Sequence, residues 1–202
     1  SDYREEARAF IKKLGVETAG MTAIDMGCGT GAFSISAARY FDKMVAVDVS
    51  ERMLAIAKGK AEAEGIDNIS FHYSGFLKFQ PDEPADVINT RWVVHHLPDF
   101  WKQAALLNMN RMLKPDGVLF MTDLVFRFSP DYEHNVQTML DAIAKDFDEQ
   151  FVDEVKLHIR EEFSTFDWIL SGMIERAGFE IKLADTDNEL AMEYLCRKVR
   201  SF

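Results

Sequence analysis

The chain lacks the features of a disulfide scaffold, a membrane segment or a polyanion binder. Only two of its 202 residues are cysteines, Cys28 and Cys196, far apart in sequence. Free thiols in a cytoplasmic protein are the resulting expectation. No run of eighteen apolar residues occurs, which excludes a membrane-spanning helix, and no secretory apolar segment opens the chain. Acidic residues outnumber basic ones, 34 to 23, for a formal charge of −11. That balance argues against a phosphate-backbone partner, which calls for a basic patch. Histidine and cysteine do not gather at metal-ligand spacing, so no metal is expected. There is no internal repeat and no low-complexity stretch.

What is present is enough for one core. With 48% hydrophobic residues, residues 1–202 read as a single domain. Its organising stretch runs from Thr22 to Ser34. An apolar strand, Met21 to Met26, meets glycines at three alternate positions, Gly27, Gly29 and Gly31, and passes into a helical pattern. Alternate glycines let the backbone turn sharply and leave no side chain between it and a ligand. The helix beginning near Thr30 would aim unpaired N–H groups at the same spot. Asp25 near the end of a buried strand is costly unless paired. A carboxylate and N–H donors on one cleft suit a ligand with an ammonium and a carboxylate, such as an amino acid.

The rest alternates strand and helix. Residues 2–14 form an amphipathic helix through Ala7, Phe10, Ile11 and Leu14. Met44–Val49 is a second strand ending in Asp48, where an acid accepts from ribose hydroxyls in a nucleotide-binding βαβ unit. A helix from Glu51 to Glu64, capped by Ser50, stops at Gly65. Strands follow at Ile69–Tyr73, Ala85–Thr90 and Val118–Leu124, the last after a helix from about Phe100 to Leu113 and the turn Lys114-Pro115-Asp116-Gly117. These spacings predict a mostly parallel α/β sheet. Residues 126–163 are helical, acidic and too long for a simple connection, and read as a lid inserted after the fifth strand. Ser164 is expected to cap the next helix, which stops at Gly178. Phe179–Leu183 and Glu189–Arg197 then form an antiparallel pair around an Asp-rich turn.

The glycine spacing, Gly-x-Gly-x-Gly, differs from the Gly-x-Gly-x-x-Gly of dinucleotide oxidoreductases. Ile24-Asp25-Met26-Gly27-Cys28-Gly29-Thr30-Gly31 instead resembles the first motif of the class I S-adenosylmethionine-dependent methyltransferases. Val47-Asp48-Val49-Ser50 with Met53-Leu54 resembles the second. Asp86-Val87-Ile88 with His95-His96-Leu97, Arg111 to Gly117, and Glu175 to Phe179 resemble later ones. The resemblance implies a Rossmann-like three-layer sandwich with seven strands in the order 3-2-1-4-5-7-6, strand 7 antiparallel. It also implies S-adenosylmethionine as cofactor, across the C-terminal edges of strands 1, 2 and 4. Asp25, Gly27, Cys28, Gly29 and Gly31 would hold its methionine part. Asp48 would take the ribose, Val49 and Met53 would pack on the adenine, Gly75 and Phe76 would meet the adenine edge, and the Asn89 carbonyl would approach the ammonium. The acid that often follows strand 3 is replaced here by Ser74-Gly75-Phe76.

For the acceptor, the residues offer less. In-line displacement at a sulfonium methyl needs a nucleophile held roughly 3 Å away, and a base only when that nucleophile is protonated. His95, Tyr132 and His134 are the candidate catalytic groups, although His-His-Leu is often structural in the family. Arg91 and Trp92 are candidates for the acceptor pocket, and Asp123 ends strand 5 at the same edge. The Asn/Asp-Pro-Pro-Tyr signature of base amino-group methylation and a Pro-Cys nucleophile are both absent. The expectation is methyl transfer to a small molecule, with no nucleic acid or membrane partner; a homodimer is compatible with the sequence. The alternative is a non-catalytic module that binds the cofactor as a sensor or partner subunit.

Overall fold

The computed structural model describes residues 3–127, 131–185 and 191–202. In chain order the elements are α1 (Tyr3–Leu14), β1 (Thr22–Met26), α2 (Ala32–Ala38), β2 (Lys43–Asp48), α3 (Glu51–Ala63), β3 (Ile69–Tyr73) and β4 (Ala85–Arg91). After a single 3-10 turn at Val94–His96 come α4 (Asp99–Met112), β5 (Leu113–Phe126), α5 (Tyr132–Asp146), α6 (Glu149–Glu161), β6 (Thr165–Phe166), α7 (Asp167–Arg176), β7 (Phe179–Asp185) and β8 (Ala191–Lys198). Residues 186–190, which hold most of the Asp-rich turn expected between Leu183 and Glu189, lie outside the described residues, as do 128–130 in the expected lid.

The strands form one sheet in the order β3-β2-β1-β4-β5-β8-β7, with β6 attached to β5. From β3 to β5 every pair is parallel, whereas β8 runs antiparallel to both β5 and β7. This is the expected arrangement, with one addition: β6 pairs in parallel with the end of β5 and shifts the numbering of the last two strands. Alternation along each strand divides the core. Ile24, Ile88, Leu119, Met121 and Tyr194 face one way, onto Leu106 and Met109 of α4 and Leu170 and Ile174 of α7. Ala23, Val87 and Phe120 face the other, onto Phe10 of α1 and Phe33 and Ala37 of α2. Both faces of the central strands are covered, which is why they read as nearly continuous apolar runs.

Local signals account for most boundaries. Ser50 accepts the Met53 amide at 3.3 Å as the cap of α3, and Gly65 beyond its end has φ 64°. Three boundaries differ from expectation. Ser164 does not cap α7; its hydroxyl meets His158 Nε2 at 2.7 Å, and Thr165–Phe166 is drawn into pairing with Val125–Phe126 before the helix starts. The Lys114–Gly117 turn is absorbed into β5, with Asp116 at φ 61° and a register shift opposite Ala85–Val87. Helix α2 is only seven residues long, so its end carries little dipole. No helix is long and apolar enough to cross a membrane, and no group of His, Cys, Asp or Glu is placed to hold a metal, among the described residues.

Candidate active site

The C-terminal ends of β1, β2 and β4 meet around the glycine turn. Gly27, Gly29 and Gly31 have φ of 82°, 52° and 74°, the left-handed region that other residues enter at a cost. A Cβ on Gly27 would lie 2.8 Å from the Val93 methyls, and one on Gly31 2.7 Å from Ala57 Cβ, whereas at Gly29 it would enter open space. The first two glycines named pack the turn against its surroundings, and the middle one leaves room in front of it.

The turn is not a bare anion cradle. Gly27 and Cys28 both donate to the Val47 carbonyl, at 2.8 and 3.0 Å, and Gly31 donates to Cys28 at 2.9 Å. Gly29 donates to Asp48 Oδ2 at 2.8 Å, and Ser50 to Asp48 Oδ1 at 2.9 Å. Most of the amides therefore fold the turn and orient Asp48. Each carboxylate oxygen of Asp48 keeps a further lone pair. The Cys28 side chain points inward, against Ala46 and Leu54. Burial first, then the charges of Asp25 and Asp48, push its thiol well above the ordinary range, which leaves it inert.

Asp25 is buried, and it is paired. Ser34 Oγ donates to its Oδ2, and Asn89 Nδ2 donates to its Oδ1 at 2.8 Å. Burial raises its pKa, and the two hydrogen bonds act against that rise. Because the amide nitrogen of Asn89 is committed to Asp25, its Oδ1 is turned elsewhere. That oxygen is buried and has no hydrogen-bond partner. A buried amide oxygen without a donor is costly, and an ammonium group would satisfy it next to a carboxylate.

A cavity of about 400 Å³ opens beside this end of the sheet, lined by Gly27, Asp48, Val49, Gly75, Phe76 and His96 among others. Its volume lies in the range of roughly 300–1,000 Å³ typical of small-molecule sites. Val49, 68% exposed, is part of the lining. Gly75 sits so close to Val49 that a Cβ would approach it to 2.8 Å. The walls are mostly apolar, with Asp48, Ser74, Lys78 and His96 as the polar side chains, which suits a purine and ribose. Met53, in the first turn of α3, is 38% exposed and does not line the cavity.

On the α4 and α7 face, Asp123 accepts from the Val94 amide at 2.6 Å, from the Leu124 amide at 2.8 Å and from His95 Nδ1 at 2.5 Å. His95 is thus held by an acid 28 residues away, and its Nε2 is left for another partner. Its ring lies 4.2 Å from that of His96 and 5.0 Å from that of His158. Tyr132 and His134 do not join this group. The Tyr132 ring packs 5.3 Å from Phe166, and His134 is exposed in the first turn of α5. Arg91 and Trp92 line a separate cavity on the α1 face, described below.

A methyltransferase-domain family model matches residues 17–193. The chain belongs to the class I S-adenosylmethionine-dependent methyltransferases. Among its relatives, the uncharacterized methyltransferase YcgJ of Bacillus subtilis is 30% identical over 102 residues, which cover 50% of this chain and 39% of that protein. An uncharacterized methyltransferase of Geobacillus kaustophilus is 28% identical over 90% of this chain and 80% of its own. The demethylmenaquinone methyltransferase of Tropheryma whipplei is 34% identical over 68% of this chain and 57% of its own. The match thus spans well under two thirds of two of these three relatives. In fold, the YcgJ structure superposes with a TM-score of 0.72 at 15% identity over 98% of this chain and 100% of that one. A Clostridium acetobutylicum S-adenosylmethionine-dependent methyltransferase gives 0.75 at 14% identity over 99% and 93%. The methyl donor of this family is S-adenosylmethionine. The orphaned Asn89 oxygen, the oriented Asp48 and the apolar cavity between Val49 and Gly75 fit its ammonium, ribose and base in turn.

The residues of the turn are legible in the sequence, and their partners are not. Ser34, which completes Asp25, and His158, which stands beside His95, carried no local signal. Asp123 was visible as an acid at a strand end, and its pairing with His95 was not.

Proposed function

We propose that the chain transfers the methyl group of S-adenosylmethionine to a small-molecule acceptor. The observation that carries the proposal is the buried, unpartnered Asn89 Oδ1 held in place by Asp25. Bound there, the cofactor supplies an activated sulfonium methyl, so the protein's task is placement. Asn89 and Asp25 take the ammonium, the free lone pairs of Asp48 take the ribose hydroxyls, and Val49, Gly75 and Phe76 enclose the adenine. With no acid after β3, the base is held by shape and by backbone groups around Ser74-Gly75-Phe76.

His95 is held through Nδ1 by Asp123 on the α4 and α7 face, across the sheet from the cavity beneath α1, and lines neither cavity. The helical pair α5 and α6 serves as the lid that excludes water. A relative named for demethylmenaquinone supports an acceptor of small-molecule class. The test combines two measurements. Calorimetry with S-adenosylmethionine and S-adenosylhomocysteine reads the site, and formation of S-adenosylhomocysteine across a panel of phenols, amines and carboxylic acids reads the reaction. Binding of neither cofactor form would refute the proposal. Binding without turnover on any acceptor would favour the non-catalytic module.

A further inference from the structure

A second cavity, of about 250 Å³, lies beneath α1, and shares no lining residue with the cofactor cavity. It is built from a row of side chains on one face of the sheet. Arg91 on β4 is the register partner of Thr122 on β5, which in turn is the partner of Glu193 on β8. Helix α1 closes it from above with Glu6, Ala9, Phe10 and Lys13. Glu6 and Lys13 are seven residues apart, two helical turns or about 10 Å along one face. Glu6 accepts from Arg91 at 2.8 Å at one end, and Lys13 pairs with Glu193 at the other. Between them the walls are Phe10, Phe120 and Trp92, with Ala9 leaving space.

Three features of this cavity have no explanation in packing alone. Thr122 is buried and its hydroxyl has no partner. Trp92 holds φ 58°, a conformation that a bulky residue avoids and that costs on the order of 1–3 kcal/mol. Arg91, its guanidinium 4.9 Å from the centre of the Phe33 ring, is mostly buried, hydrogen-bonds Glu6 and also acts through its charge on Asp25.

We propose that this cavity is the acceptor pocket and that the acceptor is a small aromatic carboxylate, whose carboxylate displaces Glu6 from Arg91. The proposal rests on the methyltransferase reading above. A planar carboxylate matches the guanidinium fork in two parallel hydrogen bonds. Glu6, the more exposed member of its pair, swings to water when displaced. The aromatic ring of the acceptor packs among Phe10, Phe120 and Trp92, and a ring hydroxyl satisfies Thr122. A dianion such as a phosphate monoester is disfavoured, because Glu6 and Glu193 share the cavity and Arg91 and Lys13 only balance them.

The full chain, saturated with S-adenosylhomocysteine, is titrated calorimetrically with para-hydroxybenzoate, para-hydroxybenzamide and benzoate. The carboxylate is expected to bind at least about tenfold more tightly than its amide, the difference a charge-assisted bidentate pair makes. Arg91→Gln removes that preference, and Arg91→Lys restores it only in part. Glu6→Gln has the opposite sign, tightening para-hydroxybenzoate several-fold because the internal competitor is gone. Thr122→Val weakens para-hydroxybenzoate and leaves benzoate unchanged. A purely structural ion pair would make Glu6→Gln and Arg91→Gln change together. Equal binding of carboxylate and amide, no binding of either, or an Arg91→Gln protein that still prefers the carboxylate would overturn the proposal. So would variants that shift S-adenosylhomocysteine affinity instead, which would assign Arg91 to the cofactor. Failure of the methyltransferase reading is separate, since it shows as no S-adenosylhomocysteine binding in the unmodified chain.

Discussion

Asp25 shows how one buried charge prepares a site. Its two hydrogen bonds come from Ser34, nine residues on, and Asn89, 64 residues on. The carboxylate sets the direction of the Asn89 amide, and its charge favours a cation beside Asn89 Oδ1. In Asp25→Asn the shape is kept, Ser34 can reverse its hydroxyl, and the desolvated charge is lost. Because burial raises the Asp25 pKa, its charge opposes folding as pH rises through the carboxylate range and above. The Asn variant is therefore expected to melt no lower than the parent at pH 7, while its affinity for S-adenosylmethionine falls about tenfold or more, the loss of a hydrogen bond to a charged group. Calorimetry and thermal denaturation on the same sample check both halves. Gly31→Ala fails differently. It places a side chain at φ 74° and 2.7 Å from Ala57 Cβ, so a loss of roughly 2–4 kcal/mol in denaturant unfolding is expected from strain plus crowding.

At the scale of elements, the proposed lid, α5 and α6, is a small unit. Met139, Ile143 and Val152 form its own core, with Phe151 and Val155 at the edge. It meets the sheet through the segment after α6. Phe163 N donates to the His95 carbonyl at 2.9 Å, Lys102 Nζ donates to the Phe163 carbonyl, His96 meets Glu162 at 2.9 Å, and His158 meets Ser164. His158 is thus faced by His95, His96, Glu162 and Asp123 as well as Ser164. Partial burial, followed by the neighbouring His95, lowers its pKa from 6.5, with Glu162 and Asp123 opposing. A lowered histidine pKa means the undocked lid binds more protons, so docking is at full strength above pH 6.5 and weakens as pH falls from there towards the docked value. Hydrogen exchange of α5 and α6 should quicken across that window, relative to β1 and β4 as internal references, and His158→Gln should flatten the dependence. No change in relative protection between pH 7.5 and 5.5 would count against the latch.

The whole molecule is a sheet closed on both faces, with chemistry confined to one edge. The crossovers from β1 to β2 and from β4 to β5 run towards opposite edges of the sheet, and ligands in such sheets bind where the connections part. A ligand that binds only the folded chain stabilises it by mass action, by about 2.7 kcal/mol at one hundred times its Kd. For a chain of this length that corresponds to a rise in melting temperature of roughly 5–10 °C. S-adenosylhomocysteine should produce it, and 5′-methylthioadenosine, which lacks the ammonium proposed to meet Asn89 and Asp25, should produce less at the same concentration.

The sequence by itself determined the order of strands and helices, the glycine turn, and the acids Asp25 and Asp48 at the ends of the first two strands. Each rests on information within a few residues: an apolar run of strand length, a cap such as Ser50, a glycine where the backbone must turn left-handed. Element ends were less legible where a partner elsewhere overrode the local signal, as at Ser164. The tertiary structure alone decided that Asp25 holds Asn89, that Asp123 holds His95, that His158 stands beside them and that Glu6 occupies Arg91. These pairs are 64, 28, 63 and 85 residues apart, counting His158 from His95. They meet because parallel strands are joined by long crossovers, so neighbours in the sheet are distant in the chain. A single sequence carries the residue types for such pairs, and only the folded register says which of them touch.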